Sequence, residues 1–307
     1  MYRADVRPWH CRPGRLLPVL ILLLGVPAYG GTATATEVAL DHQGLVLLGK
    51  LQIANESRPD TIILMVHGTL AHSGMEIMHA FQERLSDLGL NSLAITLSLD
   101  VDKRSGMFDC SASHRHRHED ALGEIGAWQR WLKGRGFSRV TLLGHSRGGN
   151  QAALYVQSAR SQRPDALVLI APMSVDPDDP ENEPLGKLIT EARARDQQPC
   201  NKDLMRIPAF LHCGESLVSP ATFLSYYAPD YEADTPTILQ GINLPVLLIL
   251  GTEDPVSRLL AGRVPDRPGI EVFEIDGADH FFRDLYADEG AEAIADFLSV
   301  LSGVPGH

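Results

Sequence analysis

The chain lacks any surplus of positive charge. Lys and Arg number 27 against 39 Asp and Glu, a formal charge of −12 over 307 residues. No basic excess is there to hold nucleic acid phosphates or anionic lipid, so neither is an expected partner. Cysteine is scarce as well, and four residues exclude a disulfide-built scaffold. No internal repeat is found. What is present is an ordinary globular mixture, 44% apolar and 21% charged, which excludes a mainly disordered or fibrous protein. The length suits one large α/β domain that buries its core without staples.

Residues 1–35 read as an export signal rather than as part of the fold. Arg3, Arg7, Arg12 and Arg15 form a positive leader, Leu16 to Val26 is an apolar run of eleven residues, and small residues follow at Ala28, Gly30, Gly31, Ala33 and Ala35. This is the layout of a secretory signal peptide, with cleavage after Gly30, Ala33 or Ala35. The run falls short of the roughly twenty residues a membrane-spanning helix needs. The expected location is therefore the periplasm or the exterior. The leader holds four Arg and one Asp, so 23 basic and 38 acidic residues remain without it, a charge of −15. Cys11 leaves with the leader. Of Cys110, Cys200 and Cys213, the last two are closest in sequence and form the simplest expected bridge.

After residue 36, apolar runs alternate with helical patterns. Val46–Ile53, Ile62–Val66, Leu93–Leu97, Val140–Leu143, Leu167–Ile170, Val246–Leu250 and Ile270–Ile275 read as strands. Met78, Phe81, Leu85 and Leu88 recur at helical spacing, with Gly89 as the stop. Leu122, Ile125, Trp128 and Leu132 mark a second helix. Further helices are expected over Asn150–Arg160 and about Tyr286–Leu301. This alternation predicts an α/β fold with a largely parallel sheet covered on both faces. Pro172–Gln240 breaks the rhythm. It opens on the acidic, proline-rich Asp176–Pro184 and carries no clear core strand, with helical patches near Leu185–Arg195 and Pro220–Tyr227. So long a segment is expected to be a helical insertion rather than a bare loop.

The strongest chemical signal is Gly144-x-Ser146-x-Gly148, set between the apolar strand and a helix opening near Gln151. The spacing has a steric reason: a sharp strand-to-helix turn strains the Ser backbone and tolerates almost no side chain at either flank. A serine hydroxyl is a weak nucleophile alone and needs a base oriented by an acid. Two later strands each lead into a loop with one of these: Asp254 after Leu244–Leu250, and His280 after Glu271–Ile275. All three candidates follow strand C-termini, where a parallel sheet presents functional loops. Taken alone, Asp254 reads equally as a helix cap and His280 as a surface histidine. For a developing oxyanion, the loop His67–His72 supplies the amide of Thr69, or Leu70 in its place, and the residue after the serine supplies that of Arg147.

Together these residues resemble the α/β-hydrolase superfamily: the HG loop at His67–Gly68, the GHSRGG elbow, the Gly251–Asp254 loop and the Gly277–His280 loop. The resemblance covers nearly everything after residue 45. It implies an eight-stranded, mainly parallel sheet with helices on both faces and a helical cap at about 172–240. It also implies acyl transfer through Ser146, His280 and Asp254, with no metal or organic cofactor. An exported serine hydrolase acting on small carboxylic esters is the expected function. A peptidase, an acyltransferase or a non-catalytic binding protein on the same fold are the alternatives.

Two features compete for attention. His114, His116 and His118 are spaced like metal ligands and resemble the HxHxDH motif of metallo-β-lactamases, but His118 stands where that motif needs Asp. Ser113 or Asp120 reads equally as a cap of the helix that follows, and the histidines are placed to rim the active-site mouth and touch substrate. Phe210, Phe223, Tyr226, Tyr227 and Tyr231 crowd the insertion, either lining an apolar pocket or forming the insertion's own core.

Overall fold

The computed structural model describes residues 35–54, 60–159, 162–174, 183–197, 204–228, 234–258, 260 and 262–303. The expected signal peptide lies outside them, as do Cys200 and Tyr231. Strands β1 (Thr36–His42), β2 (Leu45–Gln52) and β3 (Thr61–Val66) are followed by helix α1 (Glu76–Asp87), β4 (Ser92–Thr96) and α2 (Asp120–Lys133). Then come β5 (Arg139–His145), α3 (Arg147–Ser158) and β6 (Ala166–Ile170). The next segment holds α4 (Glu183–Asp196), β7 (Met205–Ile207), β8 (Ser216–Val218), α5 (Pro220–Tyr227) and α6 (Thr235–Gln240). β9 (Val246–Gly251), α7 (Pro255–Arg258), β10 (Ile270–Ile275) and α8 (Leu285–Ser302) complete the chain.

Eight strands form one sheet in the order β1-β2-β4-β3-β5-β6-β9-β10. β2 runs antiparallel to both its neighbours, and every other pairing is parallel. The expected strands are all there. β1 was not foreseen, because its half-exposed hairpin pairing with β2 leaves no continuous apolar run. The alternation within β3 explains the two-sided burial. Ile62, Leu64 and Val66 face one core with Trp128, while Ile63 and Met65 face another with Phe81. α1 stops as its sequence predicts: Gly89 takes φ +73°, and the amides of Gly89 and Leu90 return to the carbonyls of Ser86 and Leu85.

None of the strands between β6 and β9 joins the large sheet. β7 and β8 pair with each other, an antiparallel ladder that a purely helical insertion did not anticipate, and β8 makes one further parallel bridge, from Val218 to His114. Phe210, Phe223, Val218 and Leu211 bury together here. Tyr226 and Tyr227 pack against them, so the aromatics build the insertion's own core. Among the described residues, no helix is long and apolar enough to cross a membrane.

Candidate active site

Ser146 sits on the turn from β5 into α3 with φ 55° and ψ −123°, a conformation L-residues avoid. Its flanks must be glycine. A Cβ on Gly148 would run into the carbonyl of His67, and one on Gly144 into the backbone of Gly148. α3 starts three residues earlier than the sequence suggests, directly at Arg147, so the hydroxyl stands at a helix N-terminus.

The three candidates meet at hydrogen-bonding distance. His280 Nε2 lies 3.0 Å from Ser146 Oγ, and His280 Nδ1 lies 3.0 Å from Asp254 Oδ2. Asp254 is fully buried. Burial pushes its carboxyl pKa up, but hydrogen bonds from His280, Ser257 and the Val256 amide outweigh it and hold the carboxyl below its ordinary range. An ionised Asp254 accepts the proton on Nδ1, which leaves the Nε2 lone pair facing the serine hydroxyl. Asp254 also accepts the amides of Val256 and Ser257 at the start of α7. Helix capping and orienting His280 are thus one arrangement rather than alternatives.

Sequence reasoning missed His145, the residue between Gly144 and Ser146. Its Nε2 donates to the backbone carbonyl of His280 at 2.9 Å, tying the histidine loop to the elbow. Burial lowers the pKa of His145 to about 4, so the ring stays neutral.

The HG loop is held as firmly. Gly68 lies against Ser146, where a Cβ would come 3.2 Å from the serine Cβ. His67 Nε2 accepts the amide of Leu97 at 3.0 Å and the Arg104 guanidinium at 3.1 Å. Arg104, buried, also donates to the carbonyls of Leu97, Gly106 and Ala71. No motif marks Arg104, whose partners are far apart in sequence. Thr69 Oγ1 accepts from Arg147 Nε at 3.1 Å, and the Arg147 guanidinium lies 5.1 Å from the centre of the Tyr226 ring. A cavity of about 140 Å3 opens beside Ser146, bounded by Thr69, Met75, Met78, His212, His280 and Phe281. Thr69 lines it and Leu70 does not.

Two expectations are corrected. His114, His116 and His118 do not rim the mouth; all three are buried at the seam between the core and the insertion. His114 Nδ1 lies 3.3 Å from His116 Nε2, and His116 Nδ1 lies 2.9 Å from the Tyr226 hydroxyl. His118 Nε2 donates to Asn150 Oδ1 at 3.0 Å. Burial keeps His116 and His118 neutral, their pKa values lowered to about 3. Neither Ser113 nor Asp120 caps α2; Asp120 instead accepts the amide of Arg117. Among the described residues, no three His, Cys, Asp or Glu side chains are grouped to hold a metal ion. The second correction concerns the bridge. Cys213 pairs with Cys110, 103 residues away, rather than with Cys200. The insertion folds back over the β4–α2 loop, and nearness along the chain carries no information about that.

Comparison with known proteins agrees with this architecture. The profile of the alpha/beta hydrolase family matches residues 63–297. No curated protein matches by sequence. Among solved structures, Est1E from Butyrivibrio proteoclasticus with ferulic acid bound superposes with a TM-score of 0.61 at 19% identity, over 87% of this chain and 99% of that one. DcsB in complex with its substrate analogue gives 0.65 at 16%, over 89% and 100%. The esterase Pf2001 of Pyrococcus furiosus gives 0.57 at 17%, over 87% and 91%.

Proposed function

The chain belongs to the α/β hydrolase family, and from that premise we propose that it is an exported serine hydrolase cleaving small carboxylic esters. The observation that carries this reading is the hydrogen-bonded series Ser146, His280 and buried Asp254, which ends on a strained serine beside a cavity. His280 Nε2 takes the hydroxyl proton as Oγ attacks the acyl carbonyl carbon. Asp254 holds the ring in the required tautomer and stabilises the imidazolium. The amides of Thr69 and Arg147 receive the oxyanion, a contribution of about 3 kcal/mol for each such donor. His280 then protonates the leaving alcohol as the C–O bond breaks. It next deprotonates a water that attacks the acyl-enzyme, and as the acyl C–Oγ bond breaks it returns that proton to Ser146 Oγ and the acid departs.

Esters are the favoured substrate class because two similar folds are esterases or bind an aromatic acid, ferulic acid in the case of Est1E. The residues between β6 and β9 act as a cap over the site. Export is supported by the leader at residues 1–35 and by the Cys110–Cys213 bridge, since disulfides persist in oxidising compartments. A fluorophosphonate probe tests the reading. It should label the native protein and neither Ser146→Ala nor His280→Ala. Equal labelling of Ser146→Ala would remove Ser146 as the nucleophile.

A further inference from the structure

One imidazole beside Ser146 has no part in the mechanism above. His212 belongs to the insertion, yet it lines the same cavity as Ser146 and His280. Its neighbours Phe210, Leu211 and Cys213 are buried, while the His212 side chain between them is exposed and released from the insertion's core. The backbone that releases it is costly. Ala209, Leu211 and His212 take φ of 55°, 50° and 70°, and none of them is glycine. Three constraints hold the turn. The Ala209 amide donates to the Gly214 carbonyl, the Cys213 amide returns to Phe210, and Cys213 is bonded to Cys110. Among the described residues, no side-chain hydrogen bond occupies the His212 ring.

The rest of the cavity has a clear division. Ala71, Met75, Ile77, Met78 and Phe281 give it apolar walls, and beside the reacting groups, the buried rings of His67 and His145 and the Thr69 hydroxyl braced by Arg147, His212 is the polar side chain that the insertion contributes. Its volume of about 140 Å3 is close to that of a cavity that holds benzene, roughly 150 Å3. A guest of that size is a ring or a short chain.

We propose that His212 is a specificity-determining residue, which hydrogen-bonds an oxygen substituent on a short or ring-sized group occupying this cavity. The inference rests on the ester-hydrolase reading and deepens it. The substrates it selects are small oxygenated esters, hydroxyl-bearing ones first, over plain hydrocarbon ones. An imidazole can donate to or accept from a hydroxyl, and a polar group poised for a substrate hydroxyl discriminates against the analogue that lacks it.

A matched pair of substrates tests this: 4-nitrophenyl butyrate and 4-nitrophenyl 3-hydroxybutyrate, with the native chain, His212→Ala and His212→Asn. The native protein should prefer the hydroxy ester on the order of 5- to 10-fold in kcat/KM, as one neutral hydrogen bond allows. His212→Ala should bring that ratio near one by raising KM for the hydroxy ester. His212→Asn, which keeps a donor and an acceptor, should restore part of it. Both esters share a leaving group and a nucleophile, so the ratio does not depend on how much of a variant is active. A native ratio near one, or a preference that survives His212→Ala, would overturn the role of His212 while leaving the ester reading intact. No turnover of either ester by the native chain would instead sink the ester reading, and this inference with it.

Discussion

Individual residues at the site work through very few partners, which makes their substitution informative. Asp254 has no solvent contact and receives His280, Ser257 and two backbone amides. Replacing its acceptor oxygen by an amide in Asp254→Asn favours the wrong tautomer of His280. kcat should fall roughly 10⁴-fold with the fold retained. The neighbouring Glu253 is exposed, so Glu253→Gln should stay within about twofold of native under the same steady-state assay. The opposite ranking would move the acid by one position. Arg147 shows how far a side chain can depart from its motif. The sequence pattern asks only for its amide, whereas its guanidinium braces Thr69 and faces Tyr226 of the insertion. Burial lowers the Arg147 pKa from its ordinary value, with only the tyrosines Tyr226 and Tyr227 opposing.

At the scale of elements, the sheet brings distant loops to one edge. β5 lies between β3 and β6, so the HG loop after β3 packs directly on the elbow after β5. β9 and β10 deliver Asp254 and His280 from the same direction because both run parallel to β5's neighbour β6. The order Ser146, Asp254, His280 was legible because each follows a strand: β5 and β9 are buried apolar runs, the clearest signal a sequence holds, while β10 is largely exposed and is marked by its β-branched and aromatic residues. The bridge was not legible. Cys110 and Cys213 are brought within 5.4 Å (Cα–Cα) only by the insertion folding over the β4–α2 loop. A cross-link that closes so long a loop is worth about 2–4 kcal/mol through the unfolded chain. Calorimetry of the paired Cys110→Ser/Cys213→Ser variant should therefore show a lower unfolding temperature than native. An unchanged midpoint would mean that the bridge constrains little.

For the molecule as a whole, the buried histidines set a pH dependence. Folding keeps His67, His116 and His118 neutral, with pKa values lowered to about 3, and His145 to about 4, in each case chiefly by burial. In the unfolded chain the same rings take up protons near pH 6.5. Their contribution is therefore complete above pH 6.5. It declines as the pH falls toward 4, by up to roughly 1.4 kcal/mol per pH unit for each ring. Glu124 acts with the opposite sign. Burial raises its pKa from 4.5 to about 7, so its contribution is present at low pH and is lost as the pH climbs toward 7. Four histidines outweigh one carboxyl, and the thermal midpoint should be lower at pH 5 than at pH 7. An equal or higher midpoint at pH 5 would contradict the burial of these rings. Histidine burial is a property of the assembled chain. His114, His116 and His118 read from sequence as rimming the active-site mouth because their covering residues, Phe210, Val218 and Tyr226, lie about a hundred positions later.

The sequence by itself determined seven of the eight strands of the large sheet, their alternation with helices, and the three residues that meet at Ser146. These follow from local rules: apolar runs bury, glycines flank strained turns, and functional loops follow strand ends. Only the tertiary structure decided which cysteines bridge, that the histidine triplet is packed away rather than presented, and that His212 reaches the cavity instead. Each of these depends on how the insertion between β6 and β9 settles on the core. That docking is made of contacts a hundred residues apart, which no local periodicity encodes.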